Sequence, residues 1–106
     1  MAEIVVAAYP KGANMNFDYY LKNHVPMVFG FWQPYAKSWR AEKLAPEADS
    51  PYDFMIFIEF EHAGDFGKAC AALSADKSQR IDDDLKNYSQ KPPVFWTQER
   101  IGFGSA

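Results

Sequence analysis

The segment Phe17-Asp18-Tyr19-Tyr20-Leu21-Lys22-Asn23-His24-Val25-Pro26-Met27-Val28 concentrates the residues that can do chemistry. An imidazole is the side chain whose ordinary titration falls near neutral pH, so His24 is the natural candidate for giving and taking a proton. It shares a helical stripe with Phe17, Leu21, Val28 and Phe31, which points its ring under the helix and away from solvent. Pro26 follows two residues later; it has no N–H for the carbonyl of Lys22 and disfavours helical angles at Val25, which predicts a kink or break just after the histidine. Such a break would open the wall of a pocket. The C-terminal dipole of a helix ending there favours imidazolium and burial favours neutral imidazole, so the charge state of His24 stays open. A lone histidine on an apolar helix face is also compatible with a plain core role.

Around His24, the phenols of Tyr20, Tyr9 and Tyr52 are candidates to hydrogen-bond a substrate oxygen, and Trp39, Phe57 and Trp96 are candidate apolar walls. Tyr20 joins His24 as the expected catalytic pair. If the less apolar face of the third strand looks into the pocket, Asp53 and Glu59 reach it with Met55 and Phe57, and either carboxylate could orient His24 or act as a second acid/base group. Rim-facing strand ends explain both carboxylates more simply. His62 reads as a solvent-facing loop residue, and Asp82-Asp83-Asp84 as the solvated face of a late helix. Cys70, in the pattern Phe66, Ala69, Cys70, Leu73, reads as a small core residue. The chain contains no Gly-rich phosphate loop, no Gly-x-Ser-x-Gly elbow and no His/Cys cluster with zinc spacing. Neither a metal nor a cofactor is expected.

The elements that must position these groups are readable from periodicity. Ile4 to Tyr9 is a strand closed by Pro10-Lys11-Gly12; Asn16 is a good N-cap for a first helix. Tyr35 to Leu44 alternates as a half-exposed strand, and Tyr52 to Glu61 is the strongest strand signal. Asp65 to Leu73 is helical, Ile81, Leu85 and Tyr88 continue a helical pattern after a break near Ser74 to Ser78, and Val94 to Ile101 is a last strand. The order β-α-β-β-α-β is that of the ferredoxin-like α+β motif, a four-stranded antiparallel sheet with helices on one face.

At 106 residues the chain holds one core and one domain, residues 1–106, so one site is expected. A net charge of −3 without a basic block argues against nucleic acid as a partner. The acidic start Met1-Ala2-Glu3 and the short apolar run behind it match neither a signal peptide nor a membrane span, so a cytoplasmic protein is expected. Both central strands are apolar on both faces: Ile4, Val6 and Ala8 oppose Val5, Ala7 and Tyr9, and Met55 and Phe57 oppose Phe54, Ile56, Ile58 and Phe60. An antiparallel sheet with one wet face should alternate cleanly, so a second copy is expected to cover the face without helices.

The pattern Phe17-Asp18-Tyr19-Tyr20 followed by His24-Val25-Pro26, with Pro51-Tyr52 opening the third strand, resembles the EthD family of dimeric α+β barrel proteins over nearly the whole chain. The resemblance implies two ferredoxin-like protomers packed sheet to sheet. It also implies a pocket between each sheet and its first helix for a small hydrophobic, cyclic or aromatic molecule. Relatives of that kind carry out cofactor-free proton transfer such as isomerisation, dehydration or decarboxylation, or act around ether degradation, and some are called oxidoreductases. A non-catalytic accessory protein that holds a hydrophobic intermediate is the alternative, because family resemblance implies fold more firmly than reaction.

Overall fold

A computed structural model describes residues 2–106. Its backbone follows the expected order. Strand β1 (Glu3–Pro10) is followed by α1 (Phe17–Tyr19), a π-helical turn (Tyr20–His24) and α2 (Val25–Phe31). Then come β2 (Ala36–Lys43), β3 (Tyr52–Phe60), α3 (Asp65–Ala72), α4 (Ala75–Asp83), a 3₁₀ turn (Asp84–Asn87) and β4 (Val94–Glu99). The four strands form one sheet in the order β2-β3-β1-β4, with every neighbouring pair antiparallel. The two most apolar strands are therefore central, which is where unbroken β-branched and aromatic runs are best buried.

The Asn16 side chain accepts from the Tyr19 backbone N–H at 3.1 Å and starts the first helix, satisfying one of its orphan donors. The expected break after His24 is absent. His24 and Val25 both keep helical angles (φ −67°, ψ −51° and φ −61°, ψ −48°), and the irregularity comes earlier, as the π-helical turn in which the Val25 N–H reaches back to the Tyr20 carbonyl. Inserting the extra residue directly ahead of Pro26 gives the pyrrolidine ring room beside the Lys22 carbonyl, so the helix absorbs the proline without stopping. His24 is consequently mid-helix, and no C-terminal dipole acts on it.

The same turn sets which residues face inward. Tyr20, His24, Val28 and Trp32 are all buried at a spacing of four, a spacing that in a straight α-helix drifts by about 40° per step. The wider turn absorbs one such step. Leu21, expected on the inward stripe, is exposed, and Phe17 and Phe31 are only partly buried. Cys70 is also exposed: Ala69 takes the inward position of α3 and the thiol lies one residue further round.

The core lies between the helices and one sheet face, where Val5, Ala7, Tyr9, Phe54, Ile56, Ile58 and Phe60 meet Tyr20, Val25, Val28, Trp32 and Ala69. On the opposite face the register aligns Val6 with Phe57 and Trp96, and Ile4 with Glu59 and Gln98. That face is less bare than its composition suggests. The Arg40 guanidinium sits 4.1 Å from the Phe57 ring centre, Arg100 pairs with both oxygens of Glu59 at 2.6 and 3.1 Å, and Trp96 meets Tyr52 at 6.0 Å. Long side chains from the edges roof the middle, and Val6 is fully buried within the lone protomer. Met55, Phe57 and Trp96 stay half-buried there and Val94 exposed.

Phe60 is 0% exposed and packs against Trp32 and Phe66 at centroid distances of 6.0 and 5.8 Å. Phe60→Ala is expected to cost about 3–5 kcal/mol, read as a lower midpoint in urea unfolding. A loss below about 1 kcal/mol would show that this end of the sheet is not close-packed.

Candidate functional site

A cavity of about 430 Å³ lies between the helix-covered face of the sheet and the helices, within the size range of small-molecule sites. Ala7, Ile56 and Ile58 form its floor, Val25, Val28 and Trp32 one wall, and Ile81, Leu85 and Tyr88 the other. Ala7 sits on the central strand opposite Ile56; its small side chain leaves open the space that a larger residue would fill. Phe66 also lines the cavity, and Pro92, Pro93 and the exposed Phe95 lie on its β4 side. The lining is almost wholly apolar except at one end.

That end is built on His24, which is 6% exposed. Its Nδ1 lies 2.9 Å from Oδ2 of Asp84, at the start of the 3₁₀ turn. Tyr19 Oη donates to Oδ1 of the same carboxylate at 2.6 Å, and the Asn87 side-chain amide donates to it at 2.9 Å. Burial pulls the His24 pKa below its ordinary value and outweighs the carboxylate, which pulls the other way. Burial would raise the Asp84 pKa, but the hydrogen bonds donated by Tyr19, Asn87 and His24 together hold it below the usual carboxylate range. At neutral pH this combination assigns a neutral imidazole that donates Nδ1–H to an ionised Asp84 and carries its lone pair on Nε2.

Nε2 meets the Tyr88 hydroxyl at 3.4 Å, and Tyr88 meets the Tyr9 hydroxyl at 3.0 Å. With the lone pair on Nε2, Tyr88 donates to it and Tyr9 donates to Tyr88. The 3.4 Å contact is long for a hydrogen bond, so the lone pair is loosely held and open to a competing donor. Tyr20 stacks on the imidazole at 5.4 Å with an interplanar angle of 20° and packs on Tyr88 at 4.8 Å. Burial pushes the pKa of Tyr9, Tyr20 and Tyr88 well above that of a free phenol, so all three stay protonated and act as neutral hydrogen-bond donors.

Of the residues expected around His24 from the sequence, the fold brings Tyr9 and Tyr20 to the cavity with it. Trp39, Phe57 and Glu59 instead line a separate small cleft with Arg40 and Arg100. Trp96 and Tyr52 pack on each other beyond the opposite face of the sheet, and Asp53 shares the strand parity of Met55 and Phe57. For the β3 residues the physical reason is that strand's two-residue period: Phe54, Ile56 and Ile58 face the helices, so every odd-numbered neighbour from Asp53 to Glu59 faces away. Trp39, which the register aligns with Ile58, misses the cavity because it stands on the edge strand β2, where it is exposed. Tyr52 joins that far side because the β1 register shifts between Tyr9 and Pro10. Glu59 is occupied by Arg100, whose hydrogen bonds hold its carboxyl below the usual range.

The carboxylate that orients His24 is Asp84, a member of the acidic run whose pattern reads as solvated. Asp82 and Asp83 are exposed; Asp84 differs because the helix tightens into a 3₁₀ turn there and swings its side chain toward α1. Tyr88 lies one turn later on the same stripe as Ile81 and Leu85, so its inward direction was available from periodicity, but its hydroxyl's partner was not.

No family model matches the chain, and no curated protein matches it. Solved structures do. An EthD-like protein of Ralstonia eutropha JMP134 superposes with a TM-score of 0.78 at 24% identity, covering 98% of this chain and 96% of that one. An ethyl tert-butyl ether D (EthD) family protein of Bacillus halodurans C-125 gives a TM-score of 0.66 at 14% identity, covering 95% and 99%. SnoaB, a cofactor-independent oxygenase of Streptomyces nogalater, gives 0.61 at 13% identity, covering 96% and 94%. The chain thus has the ferredoxin-like fold of EthD-like proteins. No helix among the described residues is long and apolar enough to cross a membrane.

The depressed His24 pKa has a consequence for stability. The unfolded chain binds this proton near its ordinary pKa of 6.5 and the folded chain only at lower pH, so stability is fully present above 6.5 and falls as pH drops through the folded value. Thermal melts from pH 7.5 to 5.5 should show a falling midpoint whose slope is smaller in His24→Gln. Equal slopes in the two proteins would contradict a buried neutral imidazole.

Proposed function

We propose that this chain is an EthD-like protein that binds a small hydrophobic, cyclic or aromatic molecule beside His24 and moves a proton on it without a cofactor. The observation that carries the proposal is the inward imidazole, fixed through Nδ1 by Asp84 at 2.9 Å and presenting Nε2 at the polar end of an apolar cavity. The likeness to EthD-like structures supports the same reading.

In this reading Nε2 removes a proton from a carbon next to a carbonyl, and the Asp84 carboxylate stabilises the imidazolium that forms. The phenols of Tyr20 and Tyr88 donate to the oxygen on which the enolate charge develops, and the dry surroundings strengthen those bonds. Return of the proton to another carbon gives isomerisation; its delivery to a leaving oxygen gives elimination. The same first step would start a cofactor-independent oxygenation, the activity by which the Streptomyces nogalater neighbour is described. The protein acts as a homodimer in this reading, the second copy covering the half-buried Met55, Phe57 and Trp96 and the exposed Val94.

Deuterium wash-in at the acidic carbon of 2-tetralone, followed by proton NMR, tests the chemistry without knowledge of the natural substrate. The wild-type protein should accelerate exchange, with a rate that rises with pH through a value below 6.5 and is level at neutral pH. His24→Gln should lose about 10²–10⁴-fold, and Asp84→Asn should lower the rate and move the pH profile. Exchange unchanged in His24→Gln removes His24 as the base; ligand bound without any exchange points to the accessory role. Light scattering on the eluting protein down to low micromolar concentration should give twice the protomer mass, and a protomer mass would overturn the dimer.

A further inference from the structure

The cavity beside His24 is lined without a positive charge. The chain has eleven lysines and arginines, and none of them is among the lining residues. Three adjoin lining residues in the sequence, and each is engaged elsewhere. Arg80, next to Ile81, lies 5.4 Å from the Phe31 ring centre and borders a separate polar cleft with Asn23 and Met27. Lys86, next to Leu85, borders that same cleft. Lys91, next to Pro92, donates from Nζ to the Lys11 carbonyl at 2.9 Å. His24 is the remaining basic group, and its burial disfavours the charged form.

Negative charge is present instead. Asp82, Pro92 and Phe95 are the exposed members of the lining and mark the mouth of the cavity, on the side of the almost wholly exposed β4. Among the described residues no lysine or arginine pairs with the Asp82 carboxylate. Its charge reaches inward as far as Tyr88, whose phenol is pushed up by burial, by Tyr9, and then by the carboxylates of Asp84 and Asp82. Asp84 stands behind the imidazole at 2.9 Å. The way in and the proton-transfer end thus each have a carboxylate, and neither has a cation.

We infer that the cavity takes uncharged ligands and excludes anionic ones, with Asp82 the specificity-determining residue at its mouth. The inference rests on the cavity being the ligand site and adds a charge class: a ketone, phenol, lactone or ether is admitted, and a carboxylate or phosphate ester is not. A carboxylate that enters gives up its water and finds no cation to replace it, after approaching through the field of Asp82. Proton transfer on an uncharged carbon acid suits the same balance. The proton that leaves carbon arrives on Nε2, so the enolate and the imidazolium form together and the net charge of the site is unchanged. On an anionic substrate that step would set a second negative charge beside Asp82 and Asp84.

Titration calorimetry with 2-naphthamide and 2-naphthoate at pH 8 tests this, because the two have nearly the same shape and differ in charge. The wild-type protein should bind the amide about a hundredfold more tightly. Asp82→Lys should narrow that ratio by about tenfold at low ionic strength and by less in about 0.5 M salt, since the charge at the mouth is exposed to screening; Asp82→Asn should fall between. The readout is the ratio of the two affinities within each protein, so a general loss of binding in a variant does not imitate the effect. Equal affinities of the wild-type protein for the two compounds would overturn the exclusion of anions and leave the cavity as a binding site, and a ratio unchanged in Asp82→Lys would overturn the role of Asp82. Failure of the amide to bind would overturn the inference together with the reading of the cavity on which it rests.

Discussion

The contact between His24 Nδ1 and Asp84 Oδ2 is the constraint on which the arrangement of the site depends. It ties the π-helical turn after α1 to the 3₁₀ turn after α4, the two segments of the helical layer that close the polar end of the cavity. An imidazole buried to this degree needs a partner for its N–H, and an aspartate partly buried beside it needs donors. Tyr19 and Asn87 supply the remaining donors to Asp84, so the carboxylate is held by three groups and not by the histidine alone. Once Nδ1 carries the proton, the direction of every other hydroxyl in the cluster follows, from Tyr88 to Tyr9.

Backbone and packing serve that contact. The widened turn at Tyr20–His24 keeps four successive inward residues on one face despite Pro26, which places the imidazole over the cavity and Trp32 at the far end of it. Irregular turns of this kind are found disproportionately where a helix bears functional groups. The floor is complementary: a small residue, Ala7, on the central strand between the larger Val5 and Tyr9 leaves the hollow that the helices then roof. The cavity is thus a product of one extra residue in a helix and one small side chain in a strand.

The inward direction of His24 and Tyr20 was legible from helical spacing, and the two central strands from the βαββαβ order together with their apolar runs; Leu21 was misplaced because the π-helical turn shifts the helical period. Asp84 was not legible. Its neighbours Asp82 and Asp83 are exposed, and what separates it from them is a local change from α to 3₁₀ geometry that leaves no mark in hydropathy. The assignment of Phe57, Glu59 and Trp96 to the pocket failed for a related reason, and that of Trp39 because an edge strand carries it clear of the helices. Alternation tells which residues of a strand share a face, but which face receives the helices is a tertiary choice. Cys70 shows the same limit at one residue's resolution, since Ala69 and Cys70 are equally plausible as inward positions until α3 docks.

The opposite sheet face shows how long side chains alter a simple area argument. Composition alone leaves apolar residues on both sides of β1 and β3, yet Arg40 and Arg100 from the edges lie across that surface and cover its centre. What stays half-exposed is a band along β3 and β4 and not the whole face. The chemistry lies on the other side of the sheet, and nitrogen-15 NMR of the His24 ring at neutral pH reads it. A neutral imidazole protonated at Nδ1, with the Nε2 resonance of an unprotonated nitrogen, is the expected result; an imidazolium, or a neutral ring protonated at Nε2, would show that Asp84 does not hold the ring as described.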